Sequence, residues 1–155
     1  MSYHLVLWLH ILGATVLLGT GAGIAFFMVM AHRSGDPAVV AHVAGTVVVA
    51  DFLFTATAVV AQPITGAALM ARQGWPLSTP WIALALALYG LIGLFWIPVV
   101  FMQVRMRDLA RAAAAKGTAL PAAYHRLYRR WFVFGFPAFF AVLAVLWLMT
   151  AKPDL

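Results

Sequence analysis

The chain has no cysteine, which excludes disulfides, thiolate metal sites and cysteine nucleophiles. Charge is almost as scarce: 9% of the 155 residues are charged, where a soluble domain carries about 25%. None of the four acidic residues is a glutamate, so the usual paired-carboxylate, metal-binding and zinc-protease motifs are missing. Catalytic triads and phosphate-binding loops are missing too. Gly19-Thr20-Gly21-Ala22-Gly23 is no nucleotide loop, because no strand precedes it and it lies in the middle of an apolar run.

What remains is apolar. Hydrophobic residues make up 65% of the chain, and the mean hydropathy is +0.99. Several apolar runs exceed the ~18 residues that mark a transmembrane helix, which places the protein in a bilayer. The start, Met1-Ser2-Tyr3-His4, lacks a basic region, and the run that follows is longer than a signal-peptide core. It reads as a retained span.

Four spans are expected, over about 3–31, 38–71, 81–103 and 124–150, in a single domain covering 1–155. His32-Arg33-Ser34-Gly35-Asp36-Pro37 interrupts the first two, and Gly74-Trp75-Pro76 separates the second from the third. The third continues as an alanine-rich polar helix to Lys116, where Gly117 and Pro121 break it. In lipid the backbone must satisfy its own hydrogen bonds, so the expected fold is all-α, an antiparallel four-helix bundle. Eight basic residues (Arg33, Arg105, Arg107, Arg111, Lys116, Arg126, Arg129 and Arg130) flank the first and third connections, and only Arg72 and Lys152 lie near the other end. The positive-inside rule puts those connections in the cytoplasm and both termini on the periplasmic side of a bacterial inner membrane. The net charge of +6 thus reports orientation and anionic lipid, with no nucleic-acid partner.

The residues that could do chemistry are the polar ones inside the spans. His10 lies about 10 Å from the midplane on the external side, and no polar neighbour in sequence explains it. Imidazole is a common haem ligand, so iron in a haem b is one reading. A hydrogen bond from the ring to a Ser, Thr or carbonyl of the next helix is the other. Met70 and Met149 lie toward the same end and are candidate sixth ligands. His42 and His125 fall on the cytoplasmic side, about 25–30 Å from His10 along the normal, and are candidate ligands only as a separate pair. His4 and His32 read as ordinary boundary residues.

Asp51 sits near the middle of the second span, as a candidate proton relay or buried hydrogen-bond partner, with the Thr55 hydroxyl one turn on. Gln62-Pro63-Ile64-Thr65-Gly66 interrupts the same helix; its proline frees a carbonyl, and Gln62 and Thr65 can bond a partner helix or a ligand. Trp96-Ile97-Pro98 repeats the device in the third span. Arg126 and Arg130 suit haem propionates or lipid phosphates. The glycines of the first span let another helix, or a flat macrocycle, come close.

The segments Leu9-His10-Ile11-Leu12-Gly13, Gln62-Pro63-Ile64-Thr65-Gly66, Tyr128-Arg129-Arg130-Trp131-Phe132 and Leu148-Met149-Thr150-Ala151-Lys152-Pro153 resemble a bacterial four-helix membrane family of largely unassigned function. More distantly the layout resembles the HemJ type of membrane protoporphyrinogen oxidase and the copper-resistance D-type membrane proteins. That resemblance implies b-type haem held by the first-span histidine, matched here by His10. In the HemJ type an Asn-Glu precedes the proline of the last helix; Gly135-Phe136 stand there in this chain, so haem binding is implied and the oxidase reaction is not. The expected function is haem-based electron transfer with a quinone or redox-protein partner, alone, as a homo-oligomer or in a larger complex. The alternatives are an oxidase-like enzyme, copper transport, or a haem-free structural subunit.

Overall fold

A computed structural model describes residues 2–154, and all regular structure among them is helical. Four helices, α1 (Tyr3–Ser34), α2 (Pro37–Gln73), α3 (Pro80–Lys116) and α4 (Ala122–Ala151), are each long and apolar enough to cross a membrane. Their ends follow from local chemistry. Ser2 caps α1 by accepting from the Leu5 N–H at 3.3 Å, and Asp36 caps α2 by accepting from the Ala38 N–H at 2.7 Å. Pro37 and Pro80 each open a helix, where a missing N–H costs nothing. Gly35, Gly74 and Gly117 close α1, α2 and α3 at φ of +68°, +68° and +62°, a conformation that disfavours a side chain. The polar run Val104–Lys116 is helical, as its alanine content requires.

Successive helices run antiparallel, so the amino terminus, the 74–79 turn and the carboxyl-terminal segment gather at one end of the bundle. Lys152, for instance, lies 4.5 Å over the Trp75 ring. The 35–36 and 117–121 connections share the other end with most of the basic residues.

Packing is uneven along the bundle. At the basic end Met28, Val40, Ala44, Met106, Ala110 and Tyr124 are fully buried in one continuous core. At the other end a smaller cluster joins Trp81, Ile82, Ala85 and Leu148, with Met70, Trp75 and Met149 against it. The closest helix pairings are α3 with α4, α2 with α3, and α1 with α2. Outward-facing Leu94, Phe101, Val133 and Phe140 are exposed, the apolar belt that acyl chains cover.

α2 is not a uniform helix. Asp51–Thr55 form a π turn in which the Ala56 N–H reaches the Asp51 carbonyl. Pro63, Pro98 and Pro137 sit inside α2, α3 and α4.

Ala110 is fully enclosed in the basic-end core, so Ala110→Leu should lower stability in detergent by about 1–3 kcal/mol through overpacking. Phe101→Leu, at a position 71% exposed, should shift it by no more than about 0.5 kcal/mol. Thermal unfolding followed by circular dichroism measures both, and equal effects would show that the basic-end core does not carry the bundle.

Candidate functional site

Two polar centres lie inside the bundle. The first is the seam between α1 and α2. His10 Nδ1 is 2.8 Å from Thr65 Oγ1. That hydroxyl has one proton; assigned to the backbone carbonyls of Ala61 at 2.8 Å and Gln62 at 3.2 Å, it leaves the oxygen to accept from His10. Nδ1 therefore carries the ring proton and Nε2 keeps its lone pair. Nε2 has no hydrogen-bond partner among the described residues, and the ring is only partly buried. Gln62 holds the backbone of the same residue, donating its amide to the His10 carbonyl at 2.8 Å. Small residues permit this closeness: the imidazole edge lies against Gly66, and a Cβ on Gly13 would collide with the Gln62 amide.

The expected hydrogen bond from His10 to a hydroxyl of the next helix is present, and it leaves the other nitrogen available. Gln62 and Thr65, expected to bond a partner helix or a ligand, do the former. Met70 and Met149 pack in the Trp81–Leu148 cluster.

The second centre surrounds Asp51, which is 3% exposed. Trp96 Nε1 donates to its Oδ1 at 3.4 Å. The Gln103 amide, with its nitrogen facing the carboxyl, donates to Oδ2 and accepts from Trp131 Nε1 at 3.2 Å. The carboxyl thereby ties α2 to α3, and Gln103 extends the network to α4. No Arg or Lys pairs with Asp51; the ion pair among the described residues is Arg107–Asp108 at the basic end. Thr55 Oγ1 lies beside the same carboxyl, yet it makes no hydrogen bond of acceptable geometry. Gln103 and Trp131 were not expected from the sequence. The spacing held a clue: Trp96 and Gln103 are seven apart, two turns of one helix face, and a buried acid needs donors.

A cavity of about 440 Å³ opens beside this network. Asp51, Thr55, Gln62, Tyr89, Trp96 and Trp131 line it among many apolar residues, and the Tyr89 hydroxyl donates to the Val59 carbonyl. His10 is not part of the lining.

The other expected ligands do not join either centre. Arg126 and Arg130 are exposed at the start of α4, beside the far end of α1, where His32 meets Tyr124. His10 and His32 are 22 residues apart on one helix, about 33 Å, so these arginines cannot reach the propionates of a haem held by His10. His42 is exposed near Arg111, and no hydrogen bond or ring contact joins it to His125. His125 instead packs edge-on against His32, with ring centroids 5.7 Å apart. His32 is no ordinary boundary residue: it stacks on Tyr128 at 3.5 Å and bonds the buried Tyr124 hydroxyl at 3.3 Å. Among the described residues no three His, Asp or Glu side chains converge as a metal site.

The class is thus a four-helix integral membrane protein with two buried polar centres. Residues 4–153 match the family described as predicted integral membrane protein, DUF2269, and the chain belongs to that family. No curated protein and no solved structure matches it.

Because a Cβ at position 13 would collide with the Gln62 amide, Gly13→Ala should push that amide from the His10 carbonyl. The expected cost is about 0.5–1.5 kcal/mol. In a Gln62→Ala background the same change should cost nothing or stabilise, since alanine is the better helix former. A double-mutant cycle on thermal stability reads the difference. Equal costs in both backgrounds would mean that Gly13 does not accommodate Gln62.

Proposed function

We propose that the protein is a haem b-binding membrane redox protein in which His10 Nε2 is an iron ligand. One observation carries the reading: the Nδ1–Thr65 hydrogen bond, with Nδ1 as donor, leaves the Nε2 lone pair without a partner among the described residues. This is how a ligating histidine is ordinarily prepared, its second nitrogen donating to an oxygen that fixes ring and tautomer. Gln62 and Gly66 add orientation, one by holding the His10 carbonyl and the other by admitting the ring. The bound iron would supply the one-electron chemistry. The residues of this chain bind, orient and bury. Arg126 and Arg130 are not part of the reading, and no step depends on Asp51. The layout's distant resemblance to the HemJ type, whose first-span histidine His10 matches, is in keeping with haem binding, and no residue placement favours the oxidase reaction.

The reading includes an orientation. The end holding the 35–36 and 117–121 connections faces the cytoplasm, and His10 lies toward the opposite face.

His10→Ala should abolish or strongly reduce the haem Soret band while leaving helical content unchanged, because an apolar residue cannot replace a metal bond. His42→Ala and His125→Ala should retain the band. Wild-type protein that purifies colourless after expression with ample haem would sink the proposal.

Orientation is checked separately, and cleanly, because the chain has no native cysteine. With Gly117→Cys and Asp154→Cys in separate variants, a membrane-impermeant thiol reagent should label only position 154 in intact cells. Labelling of position 117 alone would reverse the assignment.

A further inference from the structure

Away from both buried centres, α2 and α3 meet at the basic end in an open groove lined by Ala41, His42, Gly45, Thr46, Val49 and Arg111. Arg111 reaches from α3 onto α2, where a Cβ at position 45 would lie 3.2 Å from its guanidinium. No other part of a neighbouring helix comes within 4 Å of that point, so glycine there makes room for the arginine head. Among the described residues, neither the Arg111 nor the His42 side chain has a hydrogen bond, an ion pair or a ring contact. Asp108, one turn before Arg111, is held instead by Arg107 at 2.8 Å. Thr46 gives its proton to the His42 carbonyl at 3.2 Å. The guanidinium and the imidazole N–H are therefore the free donors of the groove.

The two walls differ in character at one height along the bundle. From Pro37 to Ala50 α2 has no Asp, Glu, Lys or Arg, and its exposed side chains include Val39 and Val49, with Phe52 and Leu53 beyond. Opposite them α3 carries Arg105, Arg107, Asp108 and Arg111. One wall suits acyl chains and the other suits headgroups, as at the polar boundary of a bilayer. His42, Thr46 and Val49 recur at the i, i+4, i+7 spacing of one helix face, so the groove runs along α2 toward the bilayer centre. Val49 and Leu53 lie about 10–17 Å beyond His42 along that axis, within the length of an acyl chain.

We infer that the groove binds one anionic phospholipid, its phosphate held by the Arg111 guanidinium and the His42 N–H. Its acyl chains lie along Val49, Phe52 and Leu53. The arginine fork matches two oxygens of a phosphate. A zwitterionic headgroup brings a cation as well, and among the described residues no carboxylate lines the groove to receive it. A free phosphate would use the same donors but leave the apolar stripe uncovered, so the exposed valine and leucine favour the lipid. The site needs neither His10 nor Asp51 and stands apart from the haem reading.

The purified full-length protein in detergent is titrated with dioleoylphosphatidylglycerol, and separately with dioleoylphosphatidylcholine, and lipid-bound species are followed by native mass spectrometry. Wild type should bind the first phosphatidylglycerol about five- to tenfold more tightly than phosphatidylcholine. Arg111→Gln should remove that preference. Gly45→Leu fills the groove with every charge left in place, and it should weaken phosphatidylglycerol binding by a similar factor at unchanged helical content. His42→Leu, at an exposed position, should weaken it severalfold and serves as the test should Gly45→Leu not fold. Arg129→Gln, an equal loss of charge at an exposed site on α4, should change it by less than about twofold. Equal losses in Arg111→Gln and Arg129→Gln overturn the inference, because the basic end would then attract lipid only as diffuse charge. Equal binding of the two lipids by wild type also overturns it. Displacement of the lipid by millimolar inorganic phosphate does so too, since the ligand would then be a soluble anion.

Discussion

A chain in hydrocarbon has no water to complete its hydrogen bonds, and the other features of this protein depend on that constraint. It explains why the architecture is four helices, and why the polar side chains inside the bundle are so few and so consistently partnered. Trp96, Gln103 and Trp131 surround Asp51, Thr65 and Gln62 surround His10, and the Tyr89 hydroxyl finds a carbonyl. Thr15, Thr46, Thr57 and Thr150, near the bundle surface, fold their hydroxyls back onto the carbonyl four residues earlier. Against that background an unbonded hydroxyl at Thr55 stands out as a departure from the rule.

The two buried centres differ in what they leave over. At the α1–α2 seam the proton inventory is complete except for a nitrogen lone pair, which suits a metal. Beside Asp51 each carboxyl oxygen has a donor, from Trp96 and from Gln103, and the Thr55 hydroxyl is buried against the same group. The two centres are held by different helices: α1 and α2 form the first, while α2, α3 and α4 form the second.

Much of this was legible beforehand, for a physical reason. Apolar runs bounded by Gly, Pro and basic residues define helices with little ambiguity, because in lipid there is no competing secondary structure. His10, Asp51, Gln62 and Thr65 announced themselves as polar groups in apolar surroundings. Pairings between helices were not legible, since they depend on rotation and register, which composition does not encode. Arg126 and Arg130 looked compatible with a haem site until the structure put them beside His32, the length of α1 away from His10. His32 itself was misread for the converse reason: near a helix end a histidine looks solvated, and nothing local revealed that Tyr124 and Tyr128 would close over it.

The π turn at Asp51–Thr55 connects these points. In an uninterrupted α-helix, at about 100° per residue, Asp51, Gln62 and Thr65 would fall within about 60° of one another on a single face. They would then compete for the same neighbour. One inserted residue turns the following segment by about a quarter of a revolution, so that Asp51 addresses α3 while Thr65 addresses α1. Gln62 falls between them, lining the cavity with its stem and giving its amide to the His10 carbonyl. The same insertion engages the Asp51 carbonyl with the Ala56 N–H. A single irregular turn in α2 thus divides the interior into two centres. Its cost in helix regularity is repaid in a geometry that a straight helix cannot reach.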